Sequence, residues 1–207
     1  MSFQTDLYDE MIDGINMLTN RNDLEGETAI ALRAATQNAH LSDTYFRDVV
    51  TNNVQLPNTS TQAAIDIPTA LPGFRGLIDI RGLDINQQPL WSPGSQQIDV
   101  VEMGDIYDPE YGNIKNNIAY VSGDKLIIRY PGSVGGYIFE YLRTPQTKRE
   151  LYNSWIAQEV PAIILYWAAA LVLATNGNEE KSRNYLTQVE KFYIPQLKSN
   201  FLFGAQR

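Results

Sequence analysis

"VPAIILYWAAALVLATNGNEEKSRNYL", Val160 to Leu186, is the stretch on which the fold turns. Between Val160 and Ala174 no side chain is charged or carries an amide. That run is shorter than the ~20 residues a membrane-spanning helix needs, and it is bounded by Glu159 and by Asn176-Gly177-Asn178. The expectation is a buried or interface helix. A helix that is apolar nearly all round must be covered on most sides. In a chain of 207 residues, part of that cover is expected from a second subunit.

The flanks sharpen the reading. Ser154 is placed to cap a helix that opens "WIAQEV", and Pro161 either kinks that helix or starts a new one. Gly177 suits a left-handed helix end, and Asn178 caps a last helix that carries Glu179 and Glu180 in its first turn. Tyr185, Val189, Phe192 and Leu197 form its apolar stripe, and Pro195 bends or ends it. The pair is an αα-hairpin over 147–194, followed by an extended tail over 195–207. Upstream, Thr147 to Glu150 has capping-box spacing, which predicts a helical turn.

Residues 1–43 read as two helices. The first has Thr5 as its N-cap, Leu7, Met11, Ile15 and Leu18 at helical spacing, and "TNRND" as its stop. The second runs from about Glu27 to Ala39 and is rich in alanine. The region 44–146 reads as strands. "TYFRDVVTNNVQL" and "AAIDI" are separate strand signals, and the Gln/Asn-rich stretches 52–62 and 86–97 are long loops. Over 117–145, Ser122-Gly123-Asp124 is a hairpin turn, Leu126, Ile128 and Tyr130 share a face, and Pro131 to Gly136 turns the chain again. The result is a three-stranded antiparallel meander. The fold class is α+β: a helical bundle of two N-terminal helices and a C-terminal αα-hairpin, with an antiparallel sheet region inserted, all in one domain over 1–207.

Composition excludes several chemistries. The chain has no cysteine and one histidine, so disulfides, thiolate metal sites and thiol catalysis are out, and a Ser–His or Cys–His pair has little to draw on. His40 reads as a helix-end or packing residue. The formal charge is −8, and it is uneven: residues 1–142 carry net −11 and residues 143–207 net +3. That balance does not suit holding DNA by its phosphates. "GSVGGY" (132–137) lacks the Lys-Ser/Thr of a phosphate loop and reads as a turn. Asp99, Glu102, Asp105, Asp108 and Glu110 read as a solvated acidic loop, because their spacing matches no calcium loop. No carboxylate pair is marked out for glycoside hydrolysis. The start "MSFQTDLYDEM" lacks the basic and apolar regions of a signal peptide. Phe201, Leu202 and Phe203 follow the last helix, either packed back on their own domain or anchoring a neighbour.

The order of parts resembles the head-to-tail adaptor (connector, head-completion) proteins of short-tailed bacteriophages. The resemblance spans nearly the whole chain. It rests on the acidic first helix, the Ala-rich helix ending "QNAH", "TYFRDVV", "LPGFRGLIDIR", "YGNIKNNIAYVSGDKLIIRY", "YLRTP", and above all "NSWIAQEVPAIILYWAAALVLATNGNEEKSRNYL". It implies a structural virion protein, made in the host cytoplasm, that forms a cyclic homo-oligomer, usually dodecameric, on the portal protein. Such a ring extends the DNA channel, lets DNA pass without specific binding, and docks tail nozzle or fibre proteins. No catalytic, metal or cofactor-binding residues carry over, and no membrane is involved. The partner contacts implied are Phe201, Leu202, Phe203 and Pro195 in the tail, with Trp155 and Trp167. The alternatives are another neck or tail ring (a terminator or collar) or, less favoured, a cell-wall hydrolase using an acidic pair.

Overall fold

A computed structural model describes residues 3–88, 98–107 and 117–201. In chain order its elements are α1 (Phe3–Thr19), α2 (Glu25–Leu41), a 3₁₀ turn (Phe46–Asp48), β1 (Val49–Asp66), α3 (Ile67–Ala70), β2 (Phe74–Leu83), β3 (Asp99–Val100), a second 3₁₀ turn (Asp105–Tyr107), β4 (Ile118–Ser122), β5 (Lys125–Arg143), a third 3₁₀ turn (Arg149–Leu151), α4 (Trp155–Glu159), α5 (Pro161–Thr175), α6 (Glu179–Gln188), a π turn (Val189–Tyr193) and α7 (Ile194–Phe201). The class is α+β. The sequence reads as one domain, but the chain forms two compact units, each with its own apolar cluster. One is helical and built from both chain ends (Met1–Asp48 and Thr144–Arg207); the other is the sheet unit Val49–Arg143.

In the helical unit, α5 packs against α1, α2, α4 and α6. Ile163, Ile164, Ala168, Ala169, Ala170, Val172 and Leu173 are buried, and Leu165, Tyr166, Trp167 and Leu171 are half-buried against the same cluster. Four neighbouring helices of the same copy supply most of the cover, and the half-buried side chains leave the helix partly uncovered. Small residues make this possible. A side chain at Gly14 of α1 would come within 2.7 Å of Leu165, so that crossing is close.

The caps explain the breaks. Ser154 accepts from the Ala157 N–H, and Pro161 starts a separate helix rather than kinking one. At the end of α5, Gly177 (φ +76°) lets its own N–H reach the Ala174 carbonyl and the Asn178 N–H reach that of Leu173, the Schellman arrangement. Asn178 caps α6 through the Lys181 N–H. Two expected caps fail. Thr5 lies inside α1, which begins at Phe3. Thr147 caps nothing: the segment makes only the short turn Arg149–Leu151, held by Arg149 on Asp9 at 2.6 and 2.9 Å and by the Gln146 N–H on Asn153 Oδ1.

Pro195 does not end the last helix. A π turn precedes it, and the helix runs on through α7 to Phe201, so residues 195–201 are helical rather than extended. A π turn holds one extra residue, which shifts the phase of everything after it. Tyr193 therefore stacks on Tyr166 (5.5 Å between ring centres), while Phe192, expected in the apolar stripe, is 66% exposed.

The sheet unit is organised around β5. One edge of β5 pairs with β1, from Val49↔Leu142 to Asp66↔Lys125; the other is shared by β4, which takes Lys125–Arg129, and β2, which takes Gly136–Arg143. β3 adds to β4 in parallel, so the sheet is mixed rather than wholly antiparallel. The hairpin at Gly123 (φ +60°) is as expected. The meander is not: Pro131 to Gly136 lies within β5, which bends but does not reverse. Irregular pairing around Ser60 in β1 absorbs the bend. A Cβ at Gly135 would meet the Asp84 carbonyl oxygen at 2.6 Å, and one at Gly136 that of Val54 at 2.8 Å. The glycines are there for backbone approach. Likewise 52–62 is part of β1 rather than a loop; of the other expected loop, 89–97 lies outside the described residues.

Candidate functional site

The only histidine sits in a buried polar chain. His40, near the end of α2, places Nδ1 2.7 Å from Oδ1 of Asp48, at the end of the first 3₁₀ turn, and Nε2 3.0 Å from Oγ of Ser154, the α4 cap. The three residues are 1%, 3% and 0% exposed. Ser154 Oγ already accepts the Ala157 N–H at 3.2 Å. The Nδ1–H donates to the Asp48 carboxylate oxygen, and Ser154 Oγ, which also lies against the Tyr152 phenol, is the partner of Nε2. Trp155 Nε1–H donates to the same Asp48 oxygen at 2.7 Å. A step away, Thr36 donates to the Leu32 carbonyl and pairs with the Tyr152 hydroxyl at 2.9 Å. Burial pushes the Tyr152 phenol up to about 12, partly opposed by the Thr36 and Ser154 hydroxyls.

Hydroxyl, imidazole and carboxylate in this order have the connectivity of an activated nucleophile. The surroundings deny it that chemistry. Acyl transfer needs the serine oxygen within reach of a substrate carbon and donors for the developing oxyanion. Here the oxygen is enclosed and committed to a helix cap. The chain ties α2, the first 3₁₀ turn and α4 together through hydrogen bonds, a positioning role. Reading His40 as a packing residue located it correctly and missed its partners. Asp48, eight residues on across a turn, was the one local signal; Ser154 is too distant in sequence to have been paired.

An aromatic layer lies over this chain. Trp155 meets His40 and Tyr45 edge-on, each at 5.7 Å, and Phe201 at 5.0 Å. The Arg47 guanidinium stands 5.5 Å from the Trp155 ring centre and 5.9 Å from that of Phe201, and pairs with Glu159 at 2.8 Å. Phe46 faces Phe201 at 6.1 Å. Lys198 pins α7 to Asp43 at 2.7 Å, and that contact, with the Thr44 N–H, holds the Asp43 carboxyl below its usual range. Of the sequence-predicted partner contacts, Phe201 and Trp155 are brought together in contact within one copy, both half-buried. Trp167 is elsewhere on α5, half-buried in the helical core, and Pro195 is exposed. Leu202 and Phe203 lie outside the described residues.

Among its exposed residues the helical unit carries several large apolar side chains: Met17 (83%), Ile30 (70%), Leu41 and Phe192. Between α1 and the α4–α5 junction runs a groove of about 550 Å³, with Leu7, Met11, Pro161 and Leu165 along it and Asp6 and Glu10 at its rim. Among the described residues no group of three or more His, Asp or Glu is placed to hold a metal ion; Asp108 and Glu110 of the acidic loop lie outside them. No helix among the described residues is long and apolar enough to cross a membrane. No protein-family model matches the chain, and no curated protein matches it in sequence.

Proposed function

We propose that the chain is a structural subunit of a phage neck: a head-to-tail adaptor that assembles as a ring on the portal, extends the DNA channel and carries the tail nozzle or fibres. In this reading the helices form the ring body as a bundle, and the sheet unit inserted between Asp48 and Thr144 offers the docking surface. One observation carries it. The catalytic-looking groups, His40, Asp48 and Ser154, are sealed in the core, while large apolar side chains on the helices, Met17, Ile30, Leu41 and Phe192, face outward. Large apolar side chains held out to water are candidates for contact surfaces where they adjoin. The sequence resemblance supplies the partner class. The net −11 on residues 1–142 favours a surface that DNA slides past.

The test is native mass spectrometry and electron microscopy of the chain with the portal protein of the same virus. A ring of copies on the portal is expected. Absence of any portal complex from the full chain overturns the reading, and density in another ring of the particle assigns the chain to a terminator or collar.

A further inference from the structure

We infer that the ring is closed by a knob and a groove: Phe192 of one copy seats in the groove between α1 and the α4–α5 junction of the next. The inference rests on the ring reading for its closure, but the two surfaces are observed independently of it. The knob comes from the π turn, which rotates Phe192 out to 66% exposure and sends Tyr193 inward to Tyr166. Pro195, one turn on, is also exposed and extends the ridge. The turn packs Val189 and Tyr193 inward, while the Phe192 ring it displays to water is left for another surface, and π turns recur at functional positions.

The groove is preformed. The α1–α5 crossing leaves no room for a side chain at Gly14 beside Leu165, so the helices cannot close further to fill it. Its wall is apolar (Leu7, Met11, Pro161, Leu165) and its rim acidic (Asp6, Glu10). The occupant is chosen by charge. The first 13 residues carry no base, and the C-terminal third is net +3 with Lys191 directly before Phe192. Glu190 lies one residue further back, so the seating that fits sets Lys191 against the rim. Knob and groove are different patches, so their contact can repeat head-to-tail around an axis; a reciprocal two-fold dimer would bury both at once and give no ladder of cross-linked multimers.

The absence of cysteine makes the test direct. Full-length Glu10→Cys and Lys191→Cys proteins are mixed and oxidised at a concentration where the wild-type chain associates, and the double variant is oxidised alone. The expected result is a mixed disulfide at least tenfold more abundant than either homodimer, and a ladder of multimers from the double variant. Phe192→Asp should reduce association at least tenfold. Glu10→Lys and Lys191→Glu should each weaken it, and together restore it. A ring that forms with neither the mixed disulfide nor sensitivity at Phe192 overturns this interface and leaves the adaptor reading intact. No association with or without the portal overturns both.

Discussion

Replacing Asp48 separates a structural clamp from a decorative ion pair. Its Oδ1 is the acceptor for two donors, the buried His40 Nδ1–H and the half-buried Trp155 Nε1–H, each at 2.7 Å. Asp48→Ala removes the acceptor from a site where His40 and Asp48 are at most 3% exposed. A buried donor that loses its partner costs ~1–3 kcal/mol and a half-buried one less, so about 3 kcal/mol is expected for the variant. Asp48→Asn keeps an oxygen in the same place and loses only charge assistance, for about 1 kcal/mol. The assay is urea unfolding of the full chain, followed at 222 nm where the helical unit dominates and, in parallel, by tryptophan emission, with the change in midpoint at unchanged slope giving the difference. The reasoning fails if Asp48→Ala lies within about 1 kcal/mol of Asp48→Asn, because the two donors would then have found other acceptors.

Three further outcomes are expected. Tyr152 and Tyr137 are buried with phenols raised from 10.0 to about 12. Folded pKa above unfolded means their contribution is full below pH 10 and lost as pH rises toward 12. Thermal melts should therefore weaken over that window, and Tyr152→Phe should flatten the fall by on the order of 2 kcal/mol. Gly135→Ala drives a Cβ into the Asp84 carbonyl and should destabilise the sheet unit by about 1–3 kcal/mol, whereas Gly26→Ala, in α2 with open space around it, should stabilise the helical unit by about 0.5–1 kcal/mol; denaturant midpoints read both. Phe201→Ala uncovers Trp155 and should red-shift tryptophan emission and raise hydrogen exchange through α7; unchanged emission would show that α7 does not dock as described.

How much was legible follows from how local each signal is. The caps at Ser154, Asn178 and Gly177 and the hairpin at Gly123 depend on a few neighbouring residues, and all were readable; Pro161 was readable only as a break, and the structure chose a new helix over a kink. The meander was misread because the buried positions of β5 change from even numbers (Leu126, Ile128) to odd (Tyr137, Phe139, Tyr141) across a proline–glycine stretch. A break in period looks the same whether a strand bends or reverses. Only the partners, β1 on one edge and β4 and β2 on the other, distinguish the two. Phe192 was placed inside by a 3.6-residue count that a π turn does not obey.

Alone, the amino-acid order determined the α+β class, the apolar helix from Pro161 with its punctuation, and the lack of thiol chemistry, because these rest on backbone preferences and side-chain inventory. The tertiary structure decided which helices cover α5, that His40, Asp48 and Ser154 meet, and that Phe201 lies on Trp155. Among those contacts His40 and Ser154 are 114 positions apart, and no local preference encodes which distant groups end up sharing a desolvated space.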